Sequence, residues 1–100
     1  MGRVRVEVSA WQDLMEIAEY LSRAGKDSTA GMKLFDEFDR KAEIYARQPG
    51  MGDLLDDPDD GLRSFTFKGR YLAVYEPLSD GINVMRVLDA RSDYGRRLDE

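Results

Sequence analysis

Residues 62–88 read LRSFTFKGRYLAVYEPLSDGINVMRVL, and this stretch decides the fold. It holds three runs rich in aromatic, β-branched and aliphatic residues, separated by two segments typical of turns. Lys68-Gly69-Arg70 predicts one tight turn, and 77–81, which ends in Asp80-Gly81, predicts the other. Strands joined by links this short must run antiparallel. The predicted strands of this meander are 62–67, 71–76 and 82–88.

The first part of the chain has the periodicity of helices. Ser9 and Gln12 fit a capping box at the start of a first helix, which ends at Ala24-Gly25. Gly25 is expected to adopt the left-handed conformation that closes many helices. The apolar residues of this helix are Leu14, Ile17, Ala18 and Leu21.

A second amphipathic helix follows after a few residues, so the two helices should form an antiparallel hairpin. Asp27 or Ser28 is its expected N-cap, and Pro49-Gly50 ends it. Its apolar residues are Leu34, Phe35, Phe38, Ala42, Tyr45 and Ala46.

Residues 3–8 alternate between charged and valine side chains, which is the period of a half-buried strand. Val4, Val6 and Val8 are expected to face the core. The predicted fold is therefore a single α+β domain, 1–100, with the order β-α-α-β-β-β. A helical hairpin packs on a mainly antiparallel sheet in two layers.

Composition excludes several kinds of chemistry. The chain contains neither cysteine nor histidine, which excludes disulfides, thiol nucleophiles and histidine bases. The acidic run 56–60 does not fit a calcium loop, because Pro58 and Phe67 stand where side-chain oxygens are needed. No cofactor and no metal are expected. The chain also lacks an apolar run of about 20 residues, so a cytoplasmic protein without membrane contact is expected.

Charge is unevenly distributed along the chain. Residues 1–60 carry 8 basic and 14 acidic side chains, whereas 61–100 carry 7 basic and 6 acidic ones. This balance argues against direct DNA binding by the chain, but it permits a local basic patch in the second part. Strand alternation places Arg86 on the face of Ile82, Val84 and Leu88. We therefore expect it to be partly buried and paired with Glu76, Asp89 or Asp93.

The aromatic residues of the helices could belong to the core or bind a partner. Trp11 either packs between helix and sheet or serves as an exposed anchor for a partner. Phe35, Phe38 and Tyr45 form a stripe that belongs to the core or to the hairpin interface, and its remaining apolar face could receive a partner helix.

The order of elements and several local strings resemble the ParE/RelE toxin superfamily of type II toxin–antitoxin systems. Residues 9–14 (SAWQDL) resemble its first helix, and 49–52 (PGMG) resemble the segment after its second helix. Residues 61–65 (GLRSF) and 69–75 (GRYLAVY) resemble its middle strands. Residues 82–93, with RVL and ARSD, resemble its last strand and the segment beyond.

The resemblance implies a toxin that a cognate antitoxin holds inactive, as in plasmid stabilisation systems. RelE-like members of the superfamily cut mRNA on the ribosome with Arg, Lys and Tyr side chains. ParE-like members bind DNA gyrase and block replication, with no known catalytic residues.

The departures from the RelE pattern favour the ParE-like branch. An Arg follows the Tyr of the third strand in RelE-like members, but here Leu72 follows Tyr71 and Arg70 precedes it. Arg91 matches the arginine after the last strand, whereas Arg97 stands where a tyrosine is expected and Tyr94 lies nearer. Many relatives have His where this chain has Asp89, so the role of that position is open.

These observations leave three functional hypotheses. The chain is a gyrase inhibitor, a ribosome-dependent mRNA endoribonuclease, or an inactive or purely partner-binding member of the superfamily. The first predicts no catalytic residues, DNA gyrase as target, and a ParD-like antitoxin bound in a hetero-oligomer. The expected target-binding residues are Arg63, Arg70, Arg91 and Tyr94. The expected antitoxin-binding residues are Trp11, Leu14, Phe35 and Phe38.

Overall fold

The structure, a computed structural model, describes residues 2–25, 29–55 and 61–89. Two helices pack on one face of a five-stranded sheet, which confirms the predicted α+β fold. The helices are α1 (Val8–Ala24) and α2 (Ala30–Arg47), followed by a short 3₁₀ helix at Pro49–Met51. The strands are β1 (Arg3–Val6), β2 (Asp53–Leu54), β3 (Arg63–Phe67), β4 (Tyr71–Leu78) and β5 (Gly81–Asp89).

The sheet has the order β1-β5-β4-β3-β2. The meander β3-β4-β5 is antiparallel, as the short links require, and β2 extends it antiparallel to β3. β1 lies parallel to β5, because the helical hairpin carries the chain back across the sheet between them. β2 was missed by the sequence analysis, since two residues are too few to show an alternating pattern.

The turn between β3 and β4 is the one the sequence predicts. Phe67 pairs with Tyr71, so Lys68, Gly69 and Arg70 form the loop. Lys68 and Gly69 both have positive φ, at 56° and 64°. The second turn differs slightly from the prediction. Leu78 pairs with Gly81, so Ser79 and Asp80 form the loop and Gly81 begins β5.

Gly81 serves the parallel strand rather than the turn. A Cβ at this position would overlap the backbone of Arg3 on the neighbouring β1. The absence of a side chain therefore lets β1 approach β5 closely at the point where the two strands begin to pair.

Three predictions about the N-terminal elements were wrong. β1 ends at Val6, and Val8 begins α1 with 70% of its surface exposed instead of facing the core. The N-cap of α1 is Glu7, without a side-chain capping bond, so the Ser9–Gln12 capping box does not form. Gly25 closes α1 with φ −89° and ψ 163°, which is extended rather than left-handed. The expected caps Asp27 and Ser28 lie outside the described residues.

The core lies between the hairpin and the sheet. Its fully buried side chains come from both helices and from the inner face of the strands, and include Leu14, Leu34, Phe38, Phe67, Tyr75, Ile82 and Val84. The aromatic rings of this core touch in a continuous series, with Tyr45 stacked on Phe65 at 4.7 Å between centroids. No helix in the described part of the chain is long and apolar enough to cross a membrane.

Candidate partner-binding site

Arg63 makes a hydrogen bond within the molecule. Its Nη1 donates a 2.7 Å hydrogen bond to the carbonyl of Gly52, and the side chain is partly buried. The same glycine donates its N–H to the hydroxyl of Tyr75 at 3.0 Å. Arg63, expected to contact the target, therefore also fixes the PGMG segment against the end of the sheet.

Arg70 lies at the end of the β3–β4 turn, as predicted, but it is not free. Its Nε and Nη2 both contact Oδ2 of Asp89, at 3.0 and 2.8 Å. The hydrogen bond to Asp89 raises the pKa of Arg70 above its ordinary value. The guanidinium also lies 5.6 Å from the ring centroid of Tyr71. The position that many relatives fill with His thus supplies the carboxylate that neutralises Arg70.

A cavity of about 230 Å³ opens beside this ion pair, between α1 and the sheet. Burial raises the pKa of the Tyr71 phenol, and Arg70 offsets part of that effect. The residues that line the cavity are Glu16, Ile17, Tyr20, Arg70, Tyr71 and Asp89.

Arg86 is paired with a residue that the sequence analysis did not consider. Its Nε and Nη2 donate to the two carboxylate oxygens of Asp13 on α1, at 2.8 and 3.1 Å. Oδ2 of Asp13 also accepts the backbone N–H of Val87 at 2.9 Å. Of the expected partners of Arg86, Glu76 and Asp89 were wrong, and Asp93 lies outside the described residues.

The expected burial of Arg86 was also wrong, and a bulge explains why. Val74 pairs with Arg86 but Tyr75 pairs with Val84, so Met85 is an extra residue in β5. An extra residue reverses the alternation beyond it, which turns Val87 into the core and Arg86 outward. The Arg86 side chain is 56% exposed, whereas that of Asp13 is only 14% exposed.

The helical hairpin carries an exposed apolar surface. Trp11 is 42% exposed and its ring lies 6.0 Å from that of Phe35, which is partly buried. A groove of about 380 Å³ continues from Phe35 along α1, past Met15 and Ala18 to Arg23. We call the surface formed by Trp11, Met15, Ala18 and Phe35 the hairpin face.

Two of the four expected antitoxin-binding residues lie elsewhere. Leu14 and Phe38 have no exposed surface and belong to the core. The helical period places them one turn from Trp11 and Phe35 but on the inner side. Direct contact with a partner in this conformation is therefore open to Trp11 and Phe35 but not to Leu14 or Phe38.

Arg91 and Tyr94, the remaining expected target-binding residues, and the acidic run 56–60 lie outside the described residues. The sequence analysis missed Asp13, Glu16 and Tyr20 on α1. Their spacing of three and four residues was a usable signal, since it places them in a row along one side of the amphipathic helix. The described ranges contain no group of three or more Asp or Glu side chains placed to hold a metal ion.

The chain matches the family model described as the ParE toxin of the type II toxin–antitoxin system parDE, over residues 4–94. It is also similar to a solved structure of the chromosomal ParDE toxin–antitoxin system from P. aeruginosa. The TM-score is 0.72 at 16% identity, covering 89% of this chain and 96% of the other. A second similar structure is a conserved hypothetical protein from Helicobacter pylori, with a TM-score of 0.57 at 20% identity, covering 91% and 97%. No curated protein matches the sequence.

Proposed function

The chain belongs to the ParE toxin family of type II toxin–antitoxin systems, and we propose that it inhibits DNA gyrase by binding it. A ParD-like antitoxin, the partner implied by the ParDE neighbour, neutralises it in a hetero-oligomer. The Arg70–Asp89 ion pair is the observation that favours a binding mechanism over RNA cleavage. A nuclease needs cations directed at the scissile phosphate, because its transition state gathers negative charge.

The charges around Arg70 oppose that task. Glu16 and Asp89 line the same cavity as Arg70, so within the described ranges two carboxylates face one guanidinium. Such a site repels phosphate groups at short range. Arg63 donates to a backbone carbonyl and Arg86 to Asp13, so both are likewise engaged within the molecule.

The hairpin face supports the second half of the proposal. Trp11 and Met15 are exposed on α1 beside the groove at Phe35. Amphipathic helices bind such grooves by inserting apolar side chains at helical spacing. We therefore assign the antitoxin to this face, with Trp11 and Phe35 as its anchors.

Two assays separate the proposed mechanism from mRNA cleavage. Purified toxin should inhibit DNA supercoiling by purified gyrase, and added antitoxin should relieve the inhibition. Induction of the toxin without antitoxin should produce filamented cells and a DNA-damage response. Rapid loss of translation with cleaved mRNA, and supercoiling unaffected by the toxin, would instead establish the endoribonuclease.

A further inference from the structure

The cavity beside Arg70 has two walls of similar chemistry. The sheet supplies Arg70, Tyr71 and Asp89, and one face of α1 supplies Glu16, Ile17 and Tyr20. Glu16 and Tyr20 are four residues apart, so they lie on adjacent turns of the same helix face. Each wall thus combines one tyrosine ring with one carboxylate.

The sheet wall shows how this combination holds a cation. The guanidinium of Arg70 lies near the Tyr71 ring, with 5.6 Å between Cζ and the centroid. Two of its nitrogens contact Oδ2 of Asp89. The tyrosine ring interacts with the flat face of the weakly hydrated guanidinium, and the carboxylate accepts its N–H groups.

The α1 wall repeats the combination of tyrosine and carboxylate, and the part of α1 that lines the cavity supplies no cation among the described residues. Tyr20 is 53% exposed, and Glu16 is exposed one turn before it. Ile17 provides an apolar floor between them and the sheet. The described residues of the lining carry two carboxylates and one guanidinium, so their net charge is −1. Glu16 also interacts with Arg86, but Arg86 is already paired with Asp13, and including that pair leaves the sum at −1.

We propose that this cavity binds one basic side chain, arginine or lysine, of the antitoxin. Its charged head would contact Tyr20 and Glu16, and its aliphatic stem would lie on Ile17. At about 230 Å³ the cavity is smaller than the roughly 300–1,000 Å³ of most small-molecule sites, which suits a single side chain. This inference rests on the proposed antitoxin binding and names a second contact outside the hairpin face.

A titration of the free toxin tests the cavity directly. Ethylguanidinium chloride is added at constant ionic strength, and the ring resonances of Tyr20 and Tyr71 are followed by NMR. We expect saturable shifts at both rings. Glu16→Gln and Tyr20→Ala should each raise the Kd at least about fivefold, whereas Glu43→Gln on α2 should leave it unchanged. Shifts that rise linearly without saturation, or that saturate with methyl phosphate instead, would overturn the proposal.

A second experiment links the cavity to the partner. Glu16→Gln toxin should bind antitoxin at least about fivefold more weakly than wild type. One Arg→Gln or Lys→Gln antitoxin variant should lose the same factor and show no further loss against Glu16→Gln toxin. Additive losses for every basic residue would refute the assignment to the antitoxin. The outcome of the supercoiling assay does not depend on the ethylguanidinium titration. The proposed function and the proposed binding of a basic side chain can therefore be rejected separately.

Discussion

The hydroxyl of Tyr75 donates a 2.6 Å hydrogen bond to the carbonyl of Pro49. The same oxygen accepts the N–H of Gly52 at 3.0 Å, so one phenol in the middle of β4 holds both ends of the PGMG segment. Tyr75 itself has no exposed surface. The string that resembles the superfamily is thus a docking point between the end of α2 and the sheet.

This arrangement predicts a loss of stability at alkaline pH. Burial raises the pKa of Tyr75, with the Gly52 N–H and Arg63 opposing the effect. An unfolded tyrosine loses its proton near pH 10, whereas the folded one keeps it to higher pH. Above about pH 10 the unfolded state therefore binds fewer protons, and the free energy of unfolding falls as pH rises. Urea unfolding from pH 8 to 11 measures this fall.

The control for the alkaline experiment is Tyr75→Phe. This variant should unfold about 1–3 kcal/mol more easily at pH 8, because the buried Gly52 N–H loses its acceptor. It should also show a shallower decline above pH 10, with Tyr71 supplying what remains. An unchanged slope would mean that Tyr75 does not cause the decline.

The two glycines of the PGMG segment should respond oppositely to alanine. A Cβ at Gly52 would overlap the Tyr75 hydroxyl and lie 2.7 Å from the Ser64 carbonyl, whereas a Cβ at Gly50 meets nothing within 4 Å. We expect Gly52→Ala to destabilise the fold by about 1–3 kcal/mol. Gly50→Ala should be neutral or stabilise it by up to about 1 kcal/mol. Equal melting temperatures for the two variants would contradict this account.

Asp13 should matter more for stability than Arg86, although the two form one ion pair. Arg86→Ala removes a largely exposed cation and should cost about 0.2–1 kcal/mol. Asp13→Ala also leaves the Val87 N–H without its acceptor, so it should cost about 1–3 kcal/mol. Thermal unfolding of both single variants and the double variant measures the difference. A larger effect of Arg86→Ala would show that the hydrogen bond from the Val87 N–H to the Asp13 carboxylate contributes little to stability.

Trp11 should report and support antitoxin binding. It is the only tryptophan of the chain, so the intrinsic fluorescence of the toxin reports changes at the hairpin face without a label. Its emission should shift to shorter wavelength when antitoxin buries it. Trp11→Ala should weaken binding by about 2 kcal/mol, or roughly thirtyfold in Kd. Ile44→Ala, a comparably exposed residue on α2, should leave Kd within about twofold. Equal losses for both variants would remove Trp11 as an anchor.

Arg91 is the arginine whose replacement we expect to separate toxicity from folding. It matches the arginine that follows the last strand in the superfamily. Arg91→Ala toxin should keep its melting temperature and its affinity for antitoxin but lose toxicity on induction. Arg63→Ala is the contrasting variant, because loss of its bond to Gly52 should lower the melting temperature as well. Full toxicity of Arg63→Ala, Arg70→Ala and Arg91→Ala would require a target-binding surface without these arginines, starting with Trp11.

The candidate site was predictable where it depends on local pattern and not where it depends on distant contacts. Helical spacing placed Trp11 near the start of one helix and Phe35 in the apolar stripe of the other, but it did not predict that their rings lie 6.0 Å apart. The same spacing could not distinguish them from Leu14 and Phe38, because an apolar residue is equally suited to the core and to an exposed groove. The Arg70–Asp89 pair joins the β3–β4 turn to β5 through side chains 19 residues apart, which no local pattern contains.

The sequence by itself determined the types of the main elements, the meander and its first turn. Periodicity and turn chemistry act over a few residues. The secondary structure of 62–88 and of the two helices can therefore be predicted from their local sequence. Tertiary structure alone decided the parallel pairing of β1 with β5, the bulge at Met85 and the partner of Arg86. Each of these depends on which elements meet when the hairpin closes over the sheet. Asp13 and Val87 are 74 residues apart, and only the packing of α1 on β5 makes them neighbours.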